Sequence, residues 1–134
     1  LLVVFGINHE PEPALAAVHV ALDLLDIAGA MDGYVSTMHR CSFQVRIGIA
    51  LGDVVFGLMG AESSARETVV GDVVNTASRL ESANKSTGTS ILVTDGAHTA
   101  TDGEVAYGRR FELQVAGKEG HVVAHEVLGL KAGY

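Results

Sequence analysis

Asn75 and Arg79 stand four residues apart in DVVNTASRLES. On a helix that spacing projects both side chains from one side, an amide beside a planar fork of five N–H donors. Such a pair suits a sugar-phosphate. Spacing alone does not decide the matter, because Asn and Arg on the polar side of a helix are usually just solvated. Other groups invite comparison with known sites and fall short. GDVVFGLMG (Gly52 to Gly60) has glycines reminiscent of a phosphate loop but lacks the Lys-Ser/Thr of a Walker sequence, so they read as hairpin and close-packing positions. His121 and His125 lie four apart in what reads as a strand, which separates them by ~13 Å. The remaining histidines are scattered along the chain, and no metal site is assigned to these residues. Cys41, the one cysteine, has no activating pattern beside it and excludes an intrachain disulfide, which fits a reducing, cytoplasmic compartment.

The elements that would position Asn75 and Arg79 follow from periodicity. Leu1 to Phe5 reads as a buried strand that begins without a turn or cap, a sign that the chain is N-terminally incomplete. After Pro11 and Pro13 comes a helix with Leu15, Val18, Leu22 and Leu25 on one stripe, and residues from about Ala30 to Ser42 read as a loop. Phe43, Val45, Ile47, Ile49 and Leu51 alternate with other residues as a strand does. Gly52-Asp53 then predicts a hairpin that returns Val54 to Leu58 antiparallel to that strand. Thr68 to Val70 is a short extended piece leading to Gly71. Asp72 is a candidate N-cap for a helix from Val73 to about Asn84, with Val73, Ala77 and Leu80 on its apolar side and Asn75, Arg79 and Ser82 on the other. Ile91 to Val93, Arg110 to Val115 and Val122 to Leu128 read as strands, with a helical turn near Ala97 to Ala100 between the first two. This order of elements predicts an α+β domain with helices packed on a sheet.

Composition narrows the function classes. The 134 residues suit one domain, and 48% are apolar, enough for a sizeable core. A net charge of −7, 5% aromatics and no Trp argue against nucleic acid and anionic lipid as partners. No apolar run approaches the ~18 residues of a spanning helix, so no direct membrane contact is expected from this segment.

VRIGIALGDVVFGLMG (Val45 to Gly60) followed by TVVGDVVNTASRLES (Thr68 to Ser82) resembles the second half of class III adenylyl and guanylyl cyclase catalytic domains. The family pattern is a strand of the form R-(I/V)-G-(I/V)-x-x-G, a hairpin, then T/D-x-x-G-x-x-V-N-x-A-x-R-(L/M), and every fixed position is met. Leu2 to Gly6 is similar to the family's apolar strand ending in FG, and Val115 to Val127 to its C-terminal V-K-G-K-x-x-x-V-x-x-Y-E-V. The likeness covers nearly the whole chain.

The resemblance implies a ferredoxin-like, mainly antiparallel sheet with packed helices, and an adenylate cyclase site shared across a homodimer. It implies that Arg79 stabilises charge on the α-phosphate and that Asn75 orients the ribose, both as catalytic residues. Thr68, Val69 and Lys118 become substrate-binding positions for a nucleoside triphosphate, ATP being favoured. Thr68 would meet the base, where its hydroxyl could accept from an adenine amine or donate to a guanine carbonyl. Ala116 stands where the first lysine of V-K-G-K is usual, a departure at the triphosphate. Two ions, Mg²⁺ or Mn²⁺, are implied as cofactors, held by aspartates that this sequence does not contain, so the chain alone should be inactive. A guanylate cyclase and a catalytically inactive dimerisation or regulatory module are the alternatives.

Overall fold

Ile91, Leu92 and Val93 are consecutive and all fully buried, which a strand permits only when both faces of its sheet are covered. The structure, a computed structural model, describes residues 1–7, 9, 11–39, 44–59, 66–114 and 121–131. Its elements in chain order are α1 (Pro13–His39), β1 (Ile47–Ile49), β2 (Val55–Met59), β3 (Arg66–Val70), α2 (Asp72–Thr87), β4 (Ile91–Thr94), α3 (Asp95–Thr101), β5 (Val105–Gln114) and β6 (His121–Leu130).

Four strands form one sheet in the order β1-β4-β6-β5, and β2 pairs with β3 separately. In the larger sheet β1 runs parallel to β4, with Ile47 opposite Ile91. The other two pairings, β4 with β6 and β5 with β6, are antiparallel. The strand alternation sorts the core onto two faces. Ile49, Ile91, Val93 and Val127 join Val18 and Ala21 of α1 and Ala97 of α3 on one face. Leu92 and Ala124 join Leu80 of α2 on the other. The expected α+β class and mainly antiparallel sheet are therefore present.

Four expectations about local structure need correction. Residues Leu1 to Phe5 make no ladder bonds and are not a strand among the described residues. A continuous apolar run shows that a segment suits a buried strand, but only a bonded neighbour makes it one. Helix α1 runs on to His39, through the stretch read as a loop from Ala30. Gly29 and Gly33 weaken a helix by only about 1 kcal/mol each, and the Ala, Met and Leu around them propagate it. The hairpin at Gly52-Asp53 does not form, since β2 pairs instead with β3, Val55 opposite Val70. Gly52 does not take the positive φ of a II′ turn. Finally, Gly71 occupies the N-cap of α2 and Asp72 lies in its first turn.

Helix α1 also changes the reading of apolar length. Its residues Pro13–Val35 have a mean hydropathy of 1.7 over the richest window, long and apolar enough to cross a membrane by composition. Single acidic residues break the run in sequence without lowering its average far. In the fold, Val18 and Ala21 join the core against the sheet and Ala14 and Ala28 are also buried, while 22% of that window is buried in all. Leu15, Leu22 and Leu25, from the expected stripe, pack against the same cluster.

Helix α2 is tied to the sheet by a buried asparagine. Asn84 Nδ2 donates to Ile47 O at 3.0 Å, Leu80 O at 3.1 Å and Glu81 O at 3.2 Å, while Asn84 Oδ1 accepts from Thr89 Oγ1 at 2.6 Å. The helix ends one turn later at Gly88, whose φ of 70° is the left-handed conformation that terminates helices. Replacing Asn84 by Leu leaves the Ile47 carbonyl and the Thr89 hydroxyl without this partner inside the protein. Such losses cost about 1–3 kcal/mol, so Asn84→Leu is expected to lower the urea midpoint of unfolding by a matching amount. An unchanged midpoint would show that the tie is dispensable.

Candidate functional site

Two glycines decide how close α2 comes to β1. A Cβ built on Gly48 would lie 2.1 Å from Ala77 O and 2.5 Å from Glu81 N, both backbone atoms of α2. One built on Gly52 would lie 2.4 Å from Val73 Cγ2. The helix thus rests directly on the strand backbone, and Gly52 is needed for that approach and not for a turn. With Leu80 buried and Val73 and Ala77 half-buried beneath it, α2 presents Asn75, Arg79 and Ser82 to solvent. Asn75 and Arg79 sit one turn apart, and neither side chain makes a hydrogen bond or ion pair with another protein group among the described residues. A guanidinium and an amide held on a rigid helix with their donors uncommitted can receive an oxygen-rich ligand.

The other expected site residues are placed only in part. Thr68 and Val69 lie in β3, which runs into Gly71 and the start of α2, so the backbone brings them to the N-terminal end of the helix that carries Asn75. Lys118 lies outside the described residues. An open cavity of about 660 Å³ occurs between Leu1 to Phe5, α1, β1 and α2, with Val20, Leu24 and Ala77 among its walls. Its lining is mainly apolar and includes neither Asn75 nor Arg79, so those two face solvent and not this cavity.

On the opposite face of the sheet stands a group that the sequence reading missed. Asp95, His98 and His125 each place a ligating atom within 4.8 Å of the others. His125 Nε2 is 2.9 Å from Asp95 Oδ1, and the His98 and His125 rings stack with centroids 3.8 Å apart and planes at 8°. His98 Nε2 lies 3.5 Å from Asp102 Oδ1, and Tyr107 meets the His98 ring edge-on at 4.5 Å. Tyr107 shares a hydrogen bond with Thr101. Burial pushes the Tyr107 hydroxyl above its ordinary pKa, against the Thr101 bond that lowers it, and the Asp102 charge adds to the rise. The Asp95/His98 spacing of three on a helix was the available signal, but its partner comes from β6.

A profile of the family described as Adenylate and Guanylate cyclase catalytic domain matches residues 1–129. The chain belongs to this cyclase catalytic domain family. Adenylate cyclase 1 of Rhizobium meliloti (strain 1021) is 34% identical over 88 residues, which is 66% of this chain and 13% of that protein. The crystal structure of the guanylyl cyclase Cya2 superposes with a TM-score of 0.80 at 26% identity, covering 93% of this chain and 62% of that one. The guanylate cyclase domain of RhGC from Catenaria anguillulae, solved in complex with GTP, gives 0.75 at 28% identity, covering 95% and 66%. The cyclase-family chain thus spans a small part of its curated relative and just under two thirds of these solved chains.

Among the described residues the one group of three or more potential metal ligands is Asp95, His98 and His125, two imidazoles and one carboxylate across the sheet from α2, a donor set that does not fit Mg²⁺, which takes oxygen ligands.

Proposed function

We propose that residues 1–134 form part of one adenylate cyclase catalytic domain that converts ATP to cyclic AMP and pyrophosphate. The 3′-hydroxyl oxygen of ATP bonds to the α-phosphorus, the bond from that phosphorus to the pyrophosphate oxygen breaks, and the hydroxyl proton leaves to solvent. The observation that carries the reading is the exposed, uncommitted pair Asn75 and Arg79, held on α2 by its backbone contact with β1. Arg79 meets the charge that builds on the α-phosphate, and a preorganised donor there is worth more in the transition state than in the ground state. Asn75 holds the ribose so that its 3′-oxygen is in line, which acts through positioning. Thr68 and Val69 flank the base and Lys118 meets the triphosphate.

The same reading makes the active form a homodimer. Asn75 and Arg79 point away from their own sheet, so the nucleotide they reach is completed by a second subunit. Two divalent ions, Mg²⁺ or Mn²⁺, belong to the proposal, held by aspartates outside this sequence. ATP is favoured because the curated relatives of 34% and 36% identity are adenylate cyclases. A cytoplasmic location follows from the substrate and from the single cysteine.

The test is an assay of the full-length protein with ATP and with GTP, each with Mg²⁺ or Mn²⁺. Faster formation of cyclic AMP supports the proposal. Faster formation of cyclic GMP converts it to a guanylate cyclase, which the likeness to the two guanylyl cyclase structures would then explain. No product from either nucleotide would mark a regulatory module.

A further inference from the structure

We propose that Asp95, His98 and His125 form a binding site for a transition-metal ion of the Zn²⁺ type, separate from the nucleotide residues. Two imidazoles and one carboxylate, drawn from α3 and β6, converge within 4.8 Å. That donor set suits Zn²⁺, Ni²⁺ or Cu²⁺, and not Mg²⁺ or Ca²⁺, which take oxygen ligands. Three protein ligands with a fourth position left to water is a common zinc arrangement.

The geometry states what must move. Bonds of about 2.0–2.1 Å at a tetrahedral ion separate two donor atoms by roughly 3.3 Å. Asp95 Oδ1 and His125 Nε2, now 2.9 Å apart, need open by only a few tenths of an ångström. The His125 side chain is about nine-tenths buried and therefore fixed, with that nitrogen already aimed at the carboxylate. His98 has to turn. An ion lies in the plane of each imidazole it bonds, so two rings stacked at 8° cannot share one as they stand. His98 is the freer ring, with 25% of its side chain exposed and a 3.5 Å contact to Asp102 as its polar tether. Because that contact uses Nε2, Nδ1 is left for the ion, and Asp102 becomes the carboxylate that orients a ligating histidine from behind.

The site lies on the face covered by α1 and α3, whereas Asn75 and Arg79 are on α2 across the sheet. An ion here pins α3 to β6 and leaves the nucleotide to other groups. The experiment is titration of the full chain, first freed of metal, with Zn²⁺ by calorimetry and with Co²⁺ by visible absorption. One ion per chain is expected, with the intense d–d bands of a four-coordinate site and a rise in Tm. His98 is partly exposed, so His98→Ala should remain folded, checked by its circular dichroism, yet lose affinity by at least about 100-fold, beyond the 10–100-fold typical of an outer partner. Asp102→Asn should fall within that smaller range. Failure of Zn²⁺ and Co²⁺ to bind, or undiminished binding by His98→Ala, overturns the proposal, the latter by sending the ion to ligands outside this cluster.

Discussion

Arg79→Ala is expected to lower kcat by about 10²–10³ in an active cyclase containing this chain, the typical loss of one preorganised charge-stabilising donor. KM should change much less, because the guanidinium is assigned to charge that develops only as the pyrophosphate leaves. The same substitution should leave stability within about ±0.5 kcal/mol, as at other exposed positions without partners. The pairing of a large kinetic loss with an intact fold separates catalysis from packing. Arg79→Lys is a stringent companion. An ammonium keeps the charge but not the planar fork, so it should recover little of the rate. Turnover by Arg79→Ala equal to that of the parent would remove Arg79 from the mechanism.

Gly48→Ala should damage both stability and activity, for one geometric reason. The added Cβ would sit 2.1 Å from Ala77 O and 2.5 Å from Glu81 N, and neither atom is the tip of a side chain that could swing aside. Either α2 lifts from β1 or the strand bends. Overpacking of this kind costs about 1–3 kcal/mol and occasionally more. Lifting α2 also breaks the Asn84 Nδ2 bond to Ile47 O, 3.0 Å long in the parent. Asn75 and Arg79 ride on that helix, and a misplacement of about 1 Å in a positioned group can cost ~10²-fold in rate. The variant should therefore show a lowered urea midpoint together with a fall in kcat/KM, whereas Arg79→Ala shows only the second. Full activity in Gly48→Ala at the parent's stability would show that the seat tolerates a methyl group.

What could be read beforehand divides along sequence distance. The helix bearing Asn75 and Arg79 was legible because Val73, Ala77 and Leu80 repeat at helical spacing, and the apolar run Ile91 to Val93 read as a strand. The partner of Ile47 to Ile49 was not. A glycine after a strand suggests a return by hairpin, yet β1 pairs with β4 and β2 with β3, and Gly48 and Gly52 serve the close approach of α2 to the face of β1 instead. The length of α1 was hidden by Gly29 and Gly33, which interrupt propensity without interrupting the helix. Periodicity also had no means of bringing His98 and His125 together, since each is unremarkable on its own element. The roles of Asn75, Arg79, Thr68, Val69 and Lys118 came from the family pattern, and the fold adds for Asn75 and Arg79 that the pair is exposed.

The strand order has a kinetic consequence. β5 and β6 are consecutive in the chain and share eight residue pairs, so their ladder needs little loop closure and should form early. The β1–β4 ladder holds three pairs and joins Ile47 to Ile91 only after β2, β3 and α2 have been threaded between them. Its entropy of closure is met late, when α2 can dock on both strands at once. Substitutions at the β1–α2 contact should accordingly speed unfolding more than they slow folding, whereas those along β5 and β6 should act on the folding rate. The edge that seats the helix bearing Asn75 and Arg79 is then the first part of the sheet to let go.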